Sequence, residues 1–306
     1  MTELKEISIY PIKSLRGISV AEALVEKRGL RHDRRWMITD REGMFLTQRE
    51  FPRMALIGVE VGEERVVLRA PGMAELNIPH QPANGLRRPV TVWNSTVDAA
   101  RYPDDVNEWI SGAIGSECVL FAMPAEAERH VNPLFDSGAD LVSFADGYPL
   151  LLIGEGSLAE LNRRIEASAQ QDLPPRPSAT PPNQGGEHVG RLPMKRFRPN
   201  LVIAGSEPFE EDTWARIRVG EAIFRVVKPC ARCAITTVDP DRGEFDGKEP
   251  LRTLASFRMA KDIFPDKLEE FALQPNYVLF GENLIPENPG VTVRAGDAVE
   301  VLEYRS

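Results

Sequence analysis

Apolar and polar residues along this chain alternate mostly with the period of two expected of β-strands. The pattern starts at residues 4–10, where Leu4, Glu6, Ser8 and Tyr10 alternate with Lys5, Ile7 and Ile9. Further strands are predicted over 18–25, 35–39, 54–61, 65–69, 90–93 and 118–123, separated by Gly, Pro and short polar runs. Later in the chain come 200–204, 222–227 and 234–238, then a closing hairpin of 291–294 and 298–302 that turns through Ala295, Gly296 and Asp297. Many short strands divided by turn residues indicate a barrel or a sandwich. Helices are few. Over 104–114 the residues Val106, Trp109, Ile110, Ala113 and Ile114 share one face, and Gly115 ends the run. A second helix is expected from Ser157, with Glu160 completing a capping box and Leu158, Leu161 and Ile165 at helical spacing. A short third covers 251–259.

Composition narrows the function classes. The length of 306 residues suggests two domains. Lys plus Arg number 37 against 46 Asp plus Glu, a net charge of −9, which disfavours general binding to nucleic acid or to an anionic membrane. The first residues lack a basic start followed by an apolar stretch, and no apolar run approaches the roughly 20 residues of a membrane span. Three cysteines, Cys118, Cys230 and Cys233, cannot form a disulfide framework and suit a reducing compartment, so a cytoplasmic location is expected. Residues 173–193 are dense in Pro, Gly and small polar types and read as a flexible surface insertion.

Most of the chemistry is concentrated around Cys230 and Cys233. Arg225, Lys228 and Arg232 lie nearby and no acid stands between Glu221 and Asp239, surroundings that favour thiolate. A dithiol redox centre, half of a zinc site and a single-thiolate ligand to a softer metal all remain open. So does plain packing of two small apolar side chains. Zinc lacks partners: Cys118 is far upstream, and His32, His80, His130 and His188 show no paired spacing. Two other segments are cationic. Residues 27–35 hold six Lys, Arg or His against one Asp, and 188–206 contain Arg191, Lys195, Arg196 and Arg198 with no acid. They are either solvated basic faces or separate parts of one anion site, with Lys13 and Ser14 adding an ammonium and a hydroxyl.

In content and order the motifs resemble the MOSC family of molybdenum-cofactor proteins, in the two-domain arrangement of the amidoxime-reducing component and its bacterial relatives. The shared stretches are YPIKSLRG at 10–17, GLRHDRRW at 29–36, SFADGYPLLL at 143–152, FRPNLVIAG at 197–205, KPCARCAITTVDPDRG at 228–243 and GENLI at 281–285. The resemblance implies an α+β, strand-rich fold: an N-terminal MOSC β-barrel domain over 1–122 and a MOSC β-barrel domain over 123–306, with a few peripheral helices. It implies that Cys233 supplies a thiolate to molybdenum, and that Lys13, Ser14 and Arg34 hold the pyranopterin and its phosphate. Arg198 and Asn200 match further cofactor contacts, Arg232 adjoins the ligand, and Asp146, Gly147 and Tyr148 align beside the metal, Asp146 as a candidate catalytic acid. Cys230 falls at a structural or cofactor-adjacent position.

By the same resemblance the activity is reduction of N-hydroxylated compounds such as amidoximes, hydroxylamines and N-hydroxylated bases. The implied cofactor is molybdopterin-bound molybdenum. No four-cysteine run of the kind an Fe–S cluster needs is present, so a separate flavoprotein or Fe–S protein is expected to donate electrons. A carrier that delivers or sulfurates the cofactor is the alternative, and a cofactor-free dithiol oxidoreductase a third reading.

Overall fold

The computed structural model describes residues 1–171 and 191–306. Its centre is an eight-stranded sheet in the order Ile18–Val20, Glu3–Ile9, Leu201–Ala204, Leu150–Gly154, Leu279–Pro286, Ala222–Ala231, Trp214–Val219 and Val299–Tyr304. Both ends of the chain therefore enter one sheet. Leu150–Gly154 and Leu201–Ala204 pair in parallel, and the helix Glu155–Gln171 leaves the first of them. A four-stranded sheet runs Trp36–Thr39, Val119–Ala122, Ser95–Arg101, Arg87–Val92, beside smaller sheets of two and three strands. The architecture is α+β and strand-rich. Among the described residues no helix is long and apolar enough to cross a membrane.

Two large cores explain why the strands hold together. Leu4, Ile7, Leu152, Leu201, Phe224 and Leu284 fill one; Trp36, Met54, Val66, Ile110 and Leu120 fill the other. In the first strand Leu4, Ile7 and Ile9 are all buried, which strict alternation forbids. A register shift between Leu4 and Glu6, opposite Ile203 and Val202, swaps the faces. The helix Asp104–Ile114 forms as its pattern predicts, and Gly115 closes it at φ 81°.

Other expectations change in three dimensions. Ser157 does not cap a helix: the helix begins at Glu155, and the Ser157 hydroxyl donates to the buried Glu211 carboxylate at 2.7 Å. Glu160 instead meets Arg163 and Arg164. The closing hairpin does not form, because Thr292–Arg294 pairs with Glu22–Glu26 while Val299–Tyr304 pairs with Trp214–Val219. The short β-branched run expected as strand 234–238 winds through a 3-10 turn, Ala234–Thr237, whose threonine hydroxyls donate to Cys233 and Ala234 carbonyls. The expected strand 54–61 starts as a 3-10 turn, Pro52–Leu56, and is extended only over Gly58–Val61. The expected helix 251–259 is helical only over Leu251–Ala255, and a separate short helix, Ala260–Ile263, follows beyond it. Most of the 173–193 insertion lies outside the described residues; its end is ordered, with Leu192 buried and bonded through its N–H to Asn162.

Candidate functional site

Loops distant in sequence wall a single cleft. Lys13 and Ser14 follow the first strand, Arg34 follows the two-residue strand Gly29–Leu30, and Asp146, Gly147 and Tyr148 precede Leu150–Gly154. Arg198 and Asn200 precede Leu201–Ala204, while Cys230, Arg232 and Cys233 lie at the end of Ala222–Ala231. Every residue that the resemblance assigns to the site thus lines the same cavity. Ser14, Arg34 and Arg198 hold φ of 67°, 48° and 57°, left-handed conformations that cost a non-glycine residue about 1–3 kcal/mol each and persist where the surroundings over-determine them.

The surroundings are visible at Arg34. Its Nη1 donates to both oxygens of Asp33, at 2.9 and 2.7 Å, and to Asn200 Oδ1 at 2.9 Å. Asp33 has no solvent exposure and also accepts from the Tyr10 N–H at 2.8 Å. Asn200 Nδ2 donates to Ser8 and Asp33, and its Oδ1 takes the Leu151 N–H. Its amide is thus spent on joining four segments and on orienting Arg34. The Tyr10 ring lies between two guanidiniums, 4.4 Å from Arg34 and 4.2 Å from Arg198. Burial pushes its phenol up to about 12. Burial, with Arg34 adding repulsion, lowers Arg198 to about 10. Among the described residues the Arg198 guanidinium has no ion pair or hydrogen bond, and it lines both the cleft and a second cavity beside Tyr10.

Lys13 is buried, donates to the Phe144 carbonyl at 3.0 Å and ion-pairs with Asp146. Burial works to raise the Asp146 carboxyl, but Lys13, the Trp93 indole N–H at 3.1 Å and Arg49 together hold it well below the usual carboxylate range. Arg129 fixes the loop beneath by donating to the carbonyls of Ser143, Ala145 and Asp146 at 2.6, 2.6 and 2.8 Å.

The two thiols have different neighbours. Arg232 Nη1 donates to Cys230 Sγ at 3.0 Å, its Nη2 to the Phe197 carbonyl at 2.6 Å, and its Nε is buried without a partner. Burial pushes the Cys230 thiol up against the pull of Arg232. Cys233 leads into the 3-10 turn, and its thiol faces Arg49: burial lowers that guanidinium, but Cys233 and then Asp146 hold it above its ordinary value. Both cysteines are partly exposed and unbridged, and Cys118 is buried far from them.

Convergence of the cationic segments is selective. From 27–35 only Arg34 reaches the cleft; Arg31 and Arg35 pair with Glu26, and Arg28 donates to the Ala125 and Ala127 carbonyls. From 188–206 only Arg198 does, since Arg191, Lys195 and Arg196 pair with Glu166, Asp241 and Asp246. Arg225 goes to Asp140 and Lys228 to the Ala272 carbonyl. Sequence reading missed Asp33, Arg49, Trp93 and Arg129. The lone acid inside a basic run was the available signal for Asp33. Nothing in the local pattern marks the others, whose partners lie 14 to 184 residues away.

Fold and cleft define a class: a strand-rich α+β protein in which loops far apart in sequence present cations and two partly exposed thiols to a common cavity. The chain belongs to the MOSC family, matching the MOSC N-terminal beta barrel domain over residues 1–117 and the MOSC domain over 140–300. It is similar to mitochondrial amidoxime-reducing component 1 of Mus musculus, 32% identical with 97% of this chain and 81% of the relative covered. Mitochondrial amidoxime reducing component 2 of Homo sapiens is 31% identical over 95% of this chain and 81% of its own. A molybdenum cofactor sulfurase of Oryza sativa subsp. japonica is 34% identical over 84% of this chain and 31% of its own.

Proposed function

We infer that this chain is a molybdenum-cofactor oxidoreductase that reduces N-hydroxylated compounds, with electrons supplied by a separate redox protein. Membership of the MOSC family and the names of its relatives support the coarser part, a function tied to the molybdenum cofactor. The observation that carries the finer part is the sharing of one cavity by the Cys233 thiol and the cations Lys13, Arg34, Arg198 and Arg232.

The residues present fit such a group. Among the described residues no three His, Cys, Asp or Glu are grouped to hold a naked metal ion, so a metal here must bring most of its own ligands. A soft thiolate suits molybdenum. The unpaired Arg198 guanidinium and the partnerless Arg232 Nε suit an anionic chelate. The cavity encloses about 140 Å³, below the roughly 300–1,000 Å³ of common ligand sites.

When bound, the group would supply the two-electron redox chemistry. In this reading Cys233 holds the metal, Lys13, Ser14 and Arg198 hold the anionic end, and Arg34, locked by Asp33 and Asn200, fixes the loops that carry them. Asp146, kept ionised by Lys13, accepts a hydrogen bond from the substrate hydroxyl and orients it. The net change adds two electrons and two protons, breaks the N–O bond and releases water.

Metal and pterin analysis of the purified protein tests the reading, followed by turnover of a simple amidoxime with a chemical or flavoprotein donor. About one molybdenum per chain and amidine formation are expected; the absence of both would sink it. The similarity to a sulfurase over 84% of this chain favours one second reading, a carrier. A carrier would surrender the cofactor to an acceptor apoprotein and give no amidine.

A further inference from the structure

The hairpin of Arg87–Val92 and Ser95–Arg101 closes through a two-residue loop, Trp93 and Asn94. Trp93 sits at φ 53° and Asn94 does not share the positive φ. Glycine is the usual residue at the first position of such a loop, because a side chain there meets the backbone. Tryptophan is among the least suited. The indole is also 46% exposed at the tip of an otherwise ordinary hairpin, so neither backbone geometry nor core packing accounts for it. Strain of this kind in a residue beside a reactive cleft points to a role for the side chain.

Its contacts lead into the cleft. The indole N–H donates to Asp146 Oδ1 at 3.1 Å. The Arg49 guanidinium lies 4.9 Å from the ring centroid and 3.9 Å from the Asp146 carboxylate, and it faces the Cys233 thiol. Phe45 meets the ring at 5.2 Å and 52°. Trp93 is thus fixed in place by three neighbours while nearly half of it stays open to solvent. A smaller polar residue could serve Asp146, and an aliphatic one could cover Phe45. Tryptophan does both and still leaves nearly half of its surface open beside Asp146, which lines the cleft.

We propose that Trp93 determines substrate preference by acting as a stacking platform, so that the site takes flat, conjugated N-hydroxylated compounds ahead of saturated ones. The proposal rests on the function inferred above. Offset stacking on the indole would set a planar ligand beside Asp146, to which the ring is already bonded. Arg49, Lys13 and Arg198 add positive charge around that position, favouring neutral over cationic ligands.

Calorimetric titration of the holoprotein without reductant, with benzamidoxime and acetamidoxime as probes, tests this apart from turnover. Benzamidoxime should bind about tenfold tighter than acetamidoxime, equal to about 1.4 kcal/mol, a reasonable stacking contribution. In Trp93→Leu the ratio should fall below about threefold, with Trp93→Phe between. Trp93→Gly accepts φ 53° without strain and serves as the folded control, checked by thermal melting. A wild-type ratio near one, or a tenfold ratio that survives in the Leu and Gly variants, would overturn the platform. Aromatic-selective, Trp93-dependent binding in a protein that shows no turnover supports the platform and counts against the reductase reading.

Discussion

Arg232 stands beside both cysteines in sequence, yet its guanidinium serves Cys230 at 3.0 Å and leaves Cys233 to Arg49. The pair is therefore asymmetric at the level of single side chains, which is compatible with a lone-ligand role for Cys233. Cys233→Ser should lower molybdenum content and activity by at least ~100-fold, since a hydroxyl is a poor ligand for a soft metal. Cys230→Ser should retain most of the metal and cost less than ~10-fold. Metal content and turnover measured side by side check this, and equal losses would return the dithiol reading to the front. The CxxC spacing alone left all these roles open. What distinguishes the surroundings of the two thiols is Arg49, 184 residues before Cys233, which no local pattern could reveal.

At the scale of elements, the cleft depends on how Leu279–Pro286 lies between Leu150–Gly154 and Ala222–Ala231. Its partner strand shifts register at Val226/Lys228 and again at Pro229/Ala231, and these bulges re-aim the end of the strand where the cysteines lie. Gly281 of the GENLI stretch makes the close approach possible: it holds φ 80°, and a Cβ there would stand 2.7 Å from the Leu152 carbonyl oxygen and 2.6 Å from Ile153. Gly281→Ala should destabilise the protein by about 2–4 kcal/mol, from left-handed strain plus overpacking. Denaturant unfolding measures it; a change under about 1 kcal/mol would mean the sheet yields more easily than its packing implies. The strands themselves were largely legible, because period-two alternation is local. The closing hairpin and the strand at 234–238 were not. Their residues have strand-like character, but pairing partners and a one-turn 3-10 helix were set by competition with strands elsewhere in the sheet.

Across the whole molecule the net charge of −9 and the cationic cleft are compatible because most cations are neutralised where they stand. Arg31, Arg35, Lys195, Arg196 and Arg225 each have an acidic partner, whereas Arg198 in the cleft has none among the described residues. Away from the cleft, Glu282 is fully buried against Arg305, with one oxygen unpartnered. Burial raises its carboxyl to about 8, with Arg305 opposing and Asp212 adding to the rise. Between its unfolded value near 4.5 and about 8 the folded protein holds the extra proton, so stability falls as pH rises through that window. Glu282→Gln should flatten this dependence. Melting temperatures of both proteins from pH 5 to 8 decide it; parallel curves would place the pH sensitivity elsewhere.

The sequence by itself determined the strand-rich class and nominated the residue types and order of motifs, including every nominated residue that lines the cleft. The class follows from local alternation, the cationic segments and the two thiols from chemistry written in contiguous stretches, and positions such as Asp146, Gly147, Tyr148 and Asn200 from the resemblance to the MOSC family. Tertiary structure decided which of the many cations remain unpaired, which thiol keeps company with Arg232 and which with Arg49, and that a strained tryptophan from a distant hairpin touches Asp146. Ion pairing and thiol environment depend on neighbours brought together by folding, and a side chain's partner a hundred residues away leaves no mark on the pattern around it.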